Sequence, residues 1–208
     1  MKELTEPDMG ACALVIVDMQ NDFVRPEGSM VTQGAEAMLP DLVALANRFR
    51  ERGLPVVHVV RLYEQDGSNA DLCRRERLAA GERLVVPGTW GASVAEGLLP
   101  RGARQDEELL LAGRPQPLGE REFLLYKPRW SAFFGTRLHG LLQDLGVGSV
   151  AVAGTWYPNC IHATIYDAAA LDYRVLAVRD CIAGITEKDC VDLGRVCVRV
   201  AGSGGLFQ

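Results

Sequence analysis

The sequence has no apolar run long enough to cross a membrane and no stretch that reads as a secretory leader. Its first apolar run, Ala11–Val17, is short and follows the acids Glu3, Glu6 and Asp8. A leader needs a basic flank before a longer apolar core, and a spanning helix needs about 20 apolar residues. Basic clusters and basic tails are also missing. The 22 Lys and Arg face 27 Asp and Glu, giving a net charge of −5, which argues against nucleic acid and anionic membrane surfaces as partners. The six cysteines (Cys12, Cys73, Cys160, Cys181, Cys190, Cys197) show no C-x-x-C spacing. Neither a zinc cage nor a disulfide framework is suggested, and the expectation is reduced thiols in a soluble cytoplasmic protein. Low-complexity segments and internal repeats are absent, and with 48% hydrophobic and 24% charged residues the composition is that of a folded globular chain. A length of 208 residues fits one domain, 1–208, with a full core.

What is there is an alternation of apolar runs with helical patterns. Strands are expected at Ala13–Val17, Pro55–Val60, Glu122–Tyr126, Ser149–Ala153 and Arg174–Val178. Between Gly34 and Arg52, Met38, Leu42, Leu45, Ala46 and Phe49 fall on one helical stripe that Gly53 ends. Further helices are expected at Thr136–Leu145 and Asn159–Leu171. Strands this uniformly apolar are buried on both faces, which predicts an α/β fold of three layers around a mostly parallel sheet. Val86–Leu118 breaks the pattern: it is rich in Gly and Pro, with one short helix, Asp106–Leu111, capped by Asp106. So long an irregular insert is usually functional or mobile, and it is expected near the active rim, with Trp90 in a loop over the site. The glycine-rich end, AGSGGLFQ, reads either as a loose tail or as a subunit contact.

In an open parallel sheet, ligands bind outside the carboxyl ends of the strands. ALVIV ends on Asp18, REFLLY on Lys127, and SVAVAG leads through Thr155–Asn159 to Cys160. If those strands are neighbours, an acid, an amine and a thiol meet on one rim, the makings of an activated nucleophile. Pro158 suits a first helical turn, which would put Cys160 in the first turn of the following helix. The free N–H groups there favour a thiolate, lower the thiol pKa and are able to hold an oxyanion. The alternative is a small buried hydrophobe, as expected for Cys12, Cys181, Cys190 and Cys197. None of the three histidines is well placed as a base: His58 lies inside VVHVV, His139 in a helix, and His162 two residues beyond Cys160, where helical side chains do not face each other. Asp18 is left as proton acceptor.

Arg61, Leu62 and Tyr63 follow the second strand and belong to the same rim. Arg61 either grips a substrate carboxylate or pairs on the surface. Phe23, Trp130, Phe133 and Phe134 flank Asp18 and Lys127 and either wall a pocket or join the core. Gln20 and Asp22 are read as orienting the turn after Asp18.

Three segments, ALVIVDMQNDF, KPRWSAFFGTRLHGLLQDLGV and AGTWYPNCIHATIYDAAALDYRVLAVRDC, resemble the isochorismatase-like hydrolase superfamily in its cysteine hydrolase branch. The resemblance implies a Rossmann-like sheet and an Asp–Lys–Cys triad, carried here by Asp18, Lys127 and Cys160. It also implies a cis Thr155–Trp156 peptide and oxyanion donors at the backbone N–H groups of Trp156 and Cys160. The implied activity is hydrolysis of a C–N bond in a small amide, ureido or lactam substrate through a thioester, without a cofactor, by a homodimer or homotetramer. Tyr157 and Pro158 depart from the family's pattern, so Tyr157 is a candidate pocket residue. Nicotinamidases of the superfamily carry an Asp/His metal cluster after the second strand. The matching stretch, HVVRLYEQDGSNADL, offers Arg61, Asp66 and Asp71 but no histidine pair, so no metal site is expected. Two rivals remain: a vinyl-ether hydrolase of the isochorismatase kind, which works without the cysteine, and a non-catalytic module on the same fold.

Overall fold

The computed structural model describes residues 4–207. Strands β1 (Cys12–Val17), β2 (Val56–Val60), β3 (Gln116–Pro117), β4 (Glu122–Tyr126), β5 (Ser149–Gly154), β6 (Arg174–Ile182) and β7 (Arg199–Ala201) form one sheet, in the order β3-β4-β2-β1-β5-β6-β7. All neighbours pair in parallel except β3 with β4. The α/β class is as the apolar runs predict. The reason is visible in β1: side chains alternate, so Ala13, Val15 and Val17 enter one core layer while Cys12, Leu14 and Ile16 enter the other.

Helix α2 (Ala35–Glu51) covers one face through Met38, Leu42, Leu45, Ala46 and Phe49. On the other face, α5 (Leu138–Asp144) contributes Leu138 and Leu142, and α6 (His162–Ala170) contributes Ile165 and Ala168. Shorter helices α1 (Asn21–Val24), α3 (Leu72–Ala79), α4 (Glu107–Leu111) and α7 (Glu187–Arg195) fill the connections. Asp106 caps α4, its carboxylate accepting from the Leu109 N–H at 3.0 Å. The glycine-rich end packs on the fold rather than trailing away: the Phe207 ring sits edge-on to Phe49 with centroids 5.1 Å apart.

The chain runs outward from β1 through β2 to β4, then restarts at β5 on the other side of β1. That reversal leaves a crevice at the carboxyl ends of β1 and β5, where open sheets of this kind bind ligands. One expectation changes here. The strands that end on Asp18, Lys127 and Cys160 are not all neighbours, because β2 lies between β4 and β1. The lysine stem must reach across the end of β2. His58, inside β2, is buried and lies 2.6 Å from Glu122, which also pairs with Arg50 at 2.7 Å. That polar cluster sits where β4 begins, away from the rim where β4 ends. Among the described residues, no helix is long and apolar enough to cross a membrane.

Candidate active site

The site begins with the backbone after β1. Asp18 has φ +52°, the left-handed region that Asp tolerates better than most residues. Its N–H donates to the Val59 carbonyl at 2.8 Å, and its own carbonyl accepts from the Thr155 hydroxyl at 2.8 Å. These bonds clamp Asp18 between the ends of β2 and β5. Gly154, φ +121°, permits this contact: a Cβ there would lie 2.1 Å from the Val17 carbonyl oxygen. Beyond it the Thr155–Trp156 peptide is cis, as the resemblance implies. The indole of Trp156 then packs on Gly184, where a Cβ would come within 2.1 Å of the ring.

The turn that carries the thiol differs from expectation. Tyr157–Ile161 forms a single π turn, and the α-helix begins only at His162. Cys160 therefore lies in a π turn, a device often found at functional sites, and not in the first turn of an α-helix. Its backbone N–H is occupied by the Asn159 side-chain oxygen at 2.6 Å, whereas the Trp156 N–H has no acceptor among the described residues. The Cys160 carbonyl accepts from the Thr164 hydroxyl at 2.7 Å, and that hydroxyl oxygen accepts from the Ala132 N–H at 3.0 Å. Thr164, unmarked in the sequence, thus ties the Trp130–Phe133 segment to the cysteine turn.

Asp18, Lys127 and Cys160 converge. Lys127, 1% exposed, donates from Nζ to Asp18 Oδ2 at 2.9 Å, to the Cys160 sulfur at 3.4 Å and to the Arg129 carbonyl at 3.2 Å. Burial alone would lower the Lys127 pKa. The Asp18 carboxylate, with help from the sulfur, overrides it and holds the ammonium above its ordinary range. Asp18 Oδ1 is buried without a conventional hydrogen-bond partner.

The thiol itself reverses the expected shift. Burial, aided by the Asp18 charge and by hydrogen bonding to it, outweighs Lys127 and pushes Cys160 up to about 12. A group whose pKa is raised has less thiolate at any given pH. The free protein therefore favours the protonated thiol at Cys160 more than free cysteine does. Alkylation of Cys160 by iodoacetamide at pH 8 will be slower than that of free cysteine, and slower than at the exposed Cys73 and Cys197. Peptide mapping by mass spectrometry measures all three rates at once. Labelling of Cys160 as fast as the surface thiols would contradict the burial.

These groups line a cavity of about 440 Å³. Of the residues expected to bind substrate, Phe23, Arg61, Tyr63 and Trp130 line it. Phe133 and Tyr157 do not. Both are buried in the core layer beneath, Phe133 with its ring 5.8 Å from Tyr173 and Tyr157 with its ring 5.8 Å from His162. Arg61 is committed to the protein: it donates to the Tyr126 hydroxyl at 2.9 Å and to the Lys127 and Asn69 carbonyls at 3.1 and 2.9 Å, and pairs with Asp71 at 3.4 Å. Asp71 also accepts from the Tyr63 hydroxyl at 2.6 Å. Among the described residues, no group of three or more His, Cys, Asp or Glu is placed to hold a metal ion. His139 bonds the Tyr173 hydroxyl, His162 stacks on Tyr166, and neither faces the cavity.

The long insert is also corrected. None of residues 86–118 lines the cavity. Instead the insert anchors the turn after Asp18. Asn21 and Asp22 donate their backbone N–H groups to the Ser93 and Gly91 carbonyls, and the Gln20 amide clasps the Arg61 backbone and the Ala92 carbonyl at 2.8 Å. Trp90 is half exposed and does not line the cavity; its carbonyl accepts from the Asn21 side chain at 2.8 Å. The wall comes from Met30, Thr32 and Gln33 before α2 and from Arg74 in α3, with Asn159 beside the thiol. Sequence reading misses Met30, Thr32, Gln33 and Arg74, because none follows a strand or sits in a motif of its own; Asn159 lies inside the cysteine motif but is read there only as the start of a helix.

Comparison with known proteins places the fold in a family. A "probable inactive nicotinamidase" of Arabidopsis thaliana is 34% identical over 84% of this chain and 81% of its own length. The crystal structure of an isochorismatase family protein from Desulfovibrio vulgaris is 36% identical, covers 94% of this chain and 96% of that one, and superposes with a TM-score of 0.81. The structure of N-carbamoylsarcosine amidase from Thermoplasma acidophilum is 26% identical, covers 95% and 99%, and has a TM-score of 0.73. Residues 12–194 match the isochorismatase domain, so the chain belongs to the isochorismatase family.

Proposed function

We propose that this protein is a cysteine-nucleophile amidohydrolase that cleaves a non-peptide C–N bond of a small amide, ureido or lactam substrate. The observation that carries the proposal is the buried Lys127 ammonium, 2.9 Å from Asp18 and 3.4 Å from the Cys160 sulfur, on the wall of a small cavity. The likeness to an amidase over nearly the whole chain supports it.

The chemistry follows from the resting proton on sulfur. With substrate bound, Asp18 takes the thiol proton as the sulfur attacks the carbonyl carbon. A C–S bond forms and the carbonyl π electrons move to oxygen. Lys127, positive throughout, offsets the charge created on sulfur. The Trp156 and Cys160 N–H groups receive the oxyanion. For that, the substrate oxygen replaces the Asn159 oxygen, which in the free protein occupies the place at Cys160. Asp18 returns its proton to the departing nitrogen as the C–N bond breaks, leaving a thioester. Water, deprotonated by Asp18, attacks the thioester, the C–S bond breaks, and the sulfur is reprotonated. The sum is amide plus water giving acid plus amine.

As part of the same proposal, the enzyme works in the cytoplasm as a homodimer or homotetramer. The exposed side chains of Leu72, Trp130 and Phe134 are consistent with a subunit contact, and a monomeric mass in sedimentation equilibrium would remove that element. The test of function is amine release from a panel of primary amides, ureides and lactams, run beside a vinyl ether. At least one member of the panel will release amine. Cleavage of the vinyl ether alone would favour an isochorismatase-type reaction. No cleavage at all would favour a non-catalytic role, which the name of the Arabidopsis relative makes the specific competitor.

A further inference from the structure

The cavity wall has an odd cation. Asp18 is paired with Lys127 and Asp71 with Arg61. Arg74, from α3, lines the same cavity half-buried and has no carboxylate partner among the described residues. Its side-chain hydrogen bond is to the Met30 sulfur through Nη1, a weak acceptor that neutralises nothing, and its charge also acts on the Tyr63 hydroxyl. Of the other arginines on this helix, Arg77 is paired with Glu82 at 2.6 Å, and Arg75, exposed and outside the cavity, bonds only the Ala70 carbonyl among the described residues. Arg61, on the same cavity wall, keeps its Nε–H buried without an acceptor. The cavity thus sets three cations, Arg61, Arg74 and Lys127, against two carboxylates, Asp18 and Asp71, in a chain whose net charge is −5; each carboxylate keeps one buried oxygen without a hydrogen-bond partner, as Arg61 keeps its Nε–H.

An anion entering such a cavity meets a fixed planar donor array, in low-dielectric surroundings that strengthen the attraction. We propose that Arg74 determines specificity by holding a carboxylate on the substrate, so that the preferred substrates are amides or ureides of small carboxylic acids. The proposal rests on the amidohydrolase function above and narrows its substrate class. It also moves the anion-binding role from Arg61, whose guanidinium is largely committed to the protein, to Arg74.

The test compares kcat/KM for malonamate, succinamate and glutaramate with that for the uncharged amides of matching length, in wild type and in Arg74→Gln and Arg74→Lys. Wild type will favour its best amic acid over the neutral partner by about tenfold or more, the range expected of a hydrogen-bonded charge pair. Arg74→Gln will cut that preference by a similar factor, mainly through KM, and Arg74→Lys will restore part of it. Raised salt will shrink the wild-type preference. A second measurement needs no turnover: malonate, succinate or glutarate will protect Cys160 of the wild type, but not of Arg74→Gln, from iodoacetamide. Protection without any amide turnover would keep the anion site and remove the amidohydrolase function. Equal kcat/KM for charged and neutral amides, or a preference unchanged in Arg74→Gln, would overturn the role of Arg74, as would an absence of both turnover and protection.

Discussion

Cys160→Ala will lower kcat/KM for the preferred amide by about ten-thousandfold or more, the scale on which removing a covalent nucleophile acts. The loss should fall on kcat, because the sulfur makes its bond only along the reaction path. Folding should survive. The side chain is small, and Lys127 keeps both Asp18 and the Arg129 carbonyl as partners. A thermal unfolding midpoint near that of wild type, together with the kinetic loss, separates chemistry from stability. Cys160→Ser should be nearly as inactive, since Asp18 is a poor base for a hydroxyl. Full activity in Cys160→Ala would place the reaction elsewhere and revive a vinyl-ether hydrolase.

The second large effect is on stability as well as rate. Lys127→Met leaves the Asp18 carboxylate, 4% exposed, without its ion-pair partner. Stranding one member of a buried pair costs about 3–5 kcal/mol, whereas replacing both with neutral groups of similar shape costs far less. Lys127→Met will therefore unfold at markedly lower urea. The double variant Asp18→Asn, Lys127→Met will recover most of that stability yet stay inactive, because both the base and the counter-charge are gone. Equal stability in the single and double variants would mean that the pair is not a coupled unit. The sign of the pH dependence follows from Lys127, whose pKa is raised on folding. With Asp18 ionised, the contribution of Lys127 is fully present below the ordinary lysine pKa of 10.5 and fades as pH rises through the higher folded value.

Much of this arrangement was legible in the sequence, for a physical reason. Strands buried on both faces need uninterrupted apolar side chains, so β1, β2, β4, β5 and β6 announce themselves. Polar residues that interrupt such runs at their carboxyl ends stand out, and Asp18, Lys127 and Cys160 were found that way. The rest depends on partners that the local sequence does not name. β3 and β7 are two- and three-residue edges defined only by the strands beside them. Helix α3 buries only Leu78 and α7 only Leu193, so neither shows an apolar stripe. Phe133 and Tyr157 sit next to site residues in sequence yet turn into the core, since one residue along an irregular turn reverses the direction of a side chain. The thiol pKa expected to fall is instead raised, because desolvation outweighs the nearby ammonium, and burial at this depth is not written in the local sequence. Arg74 was invisible for a related reason. Its significance lies in the partner it lacks, which only the assembled cavity reveals.

The most direct measurement is the intact mass of the protein, quenched in acid within milliseconds of mixing with its preferred amide. A covalent thioester on Cys160 predicts a gain equal to the acyl group of the substrate, mapped to the peptide containing residue 160 and lost in Cys160→Ala. Turnover with no such adduct under single-turnover conditions, in a protein that keeps its activity after Cys160→Ala, would contradict it.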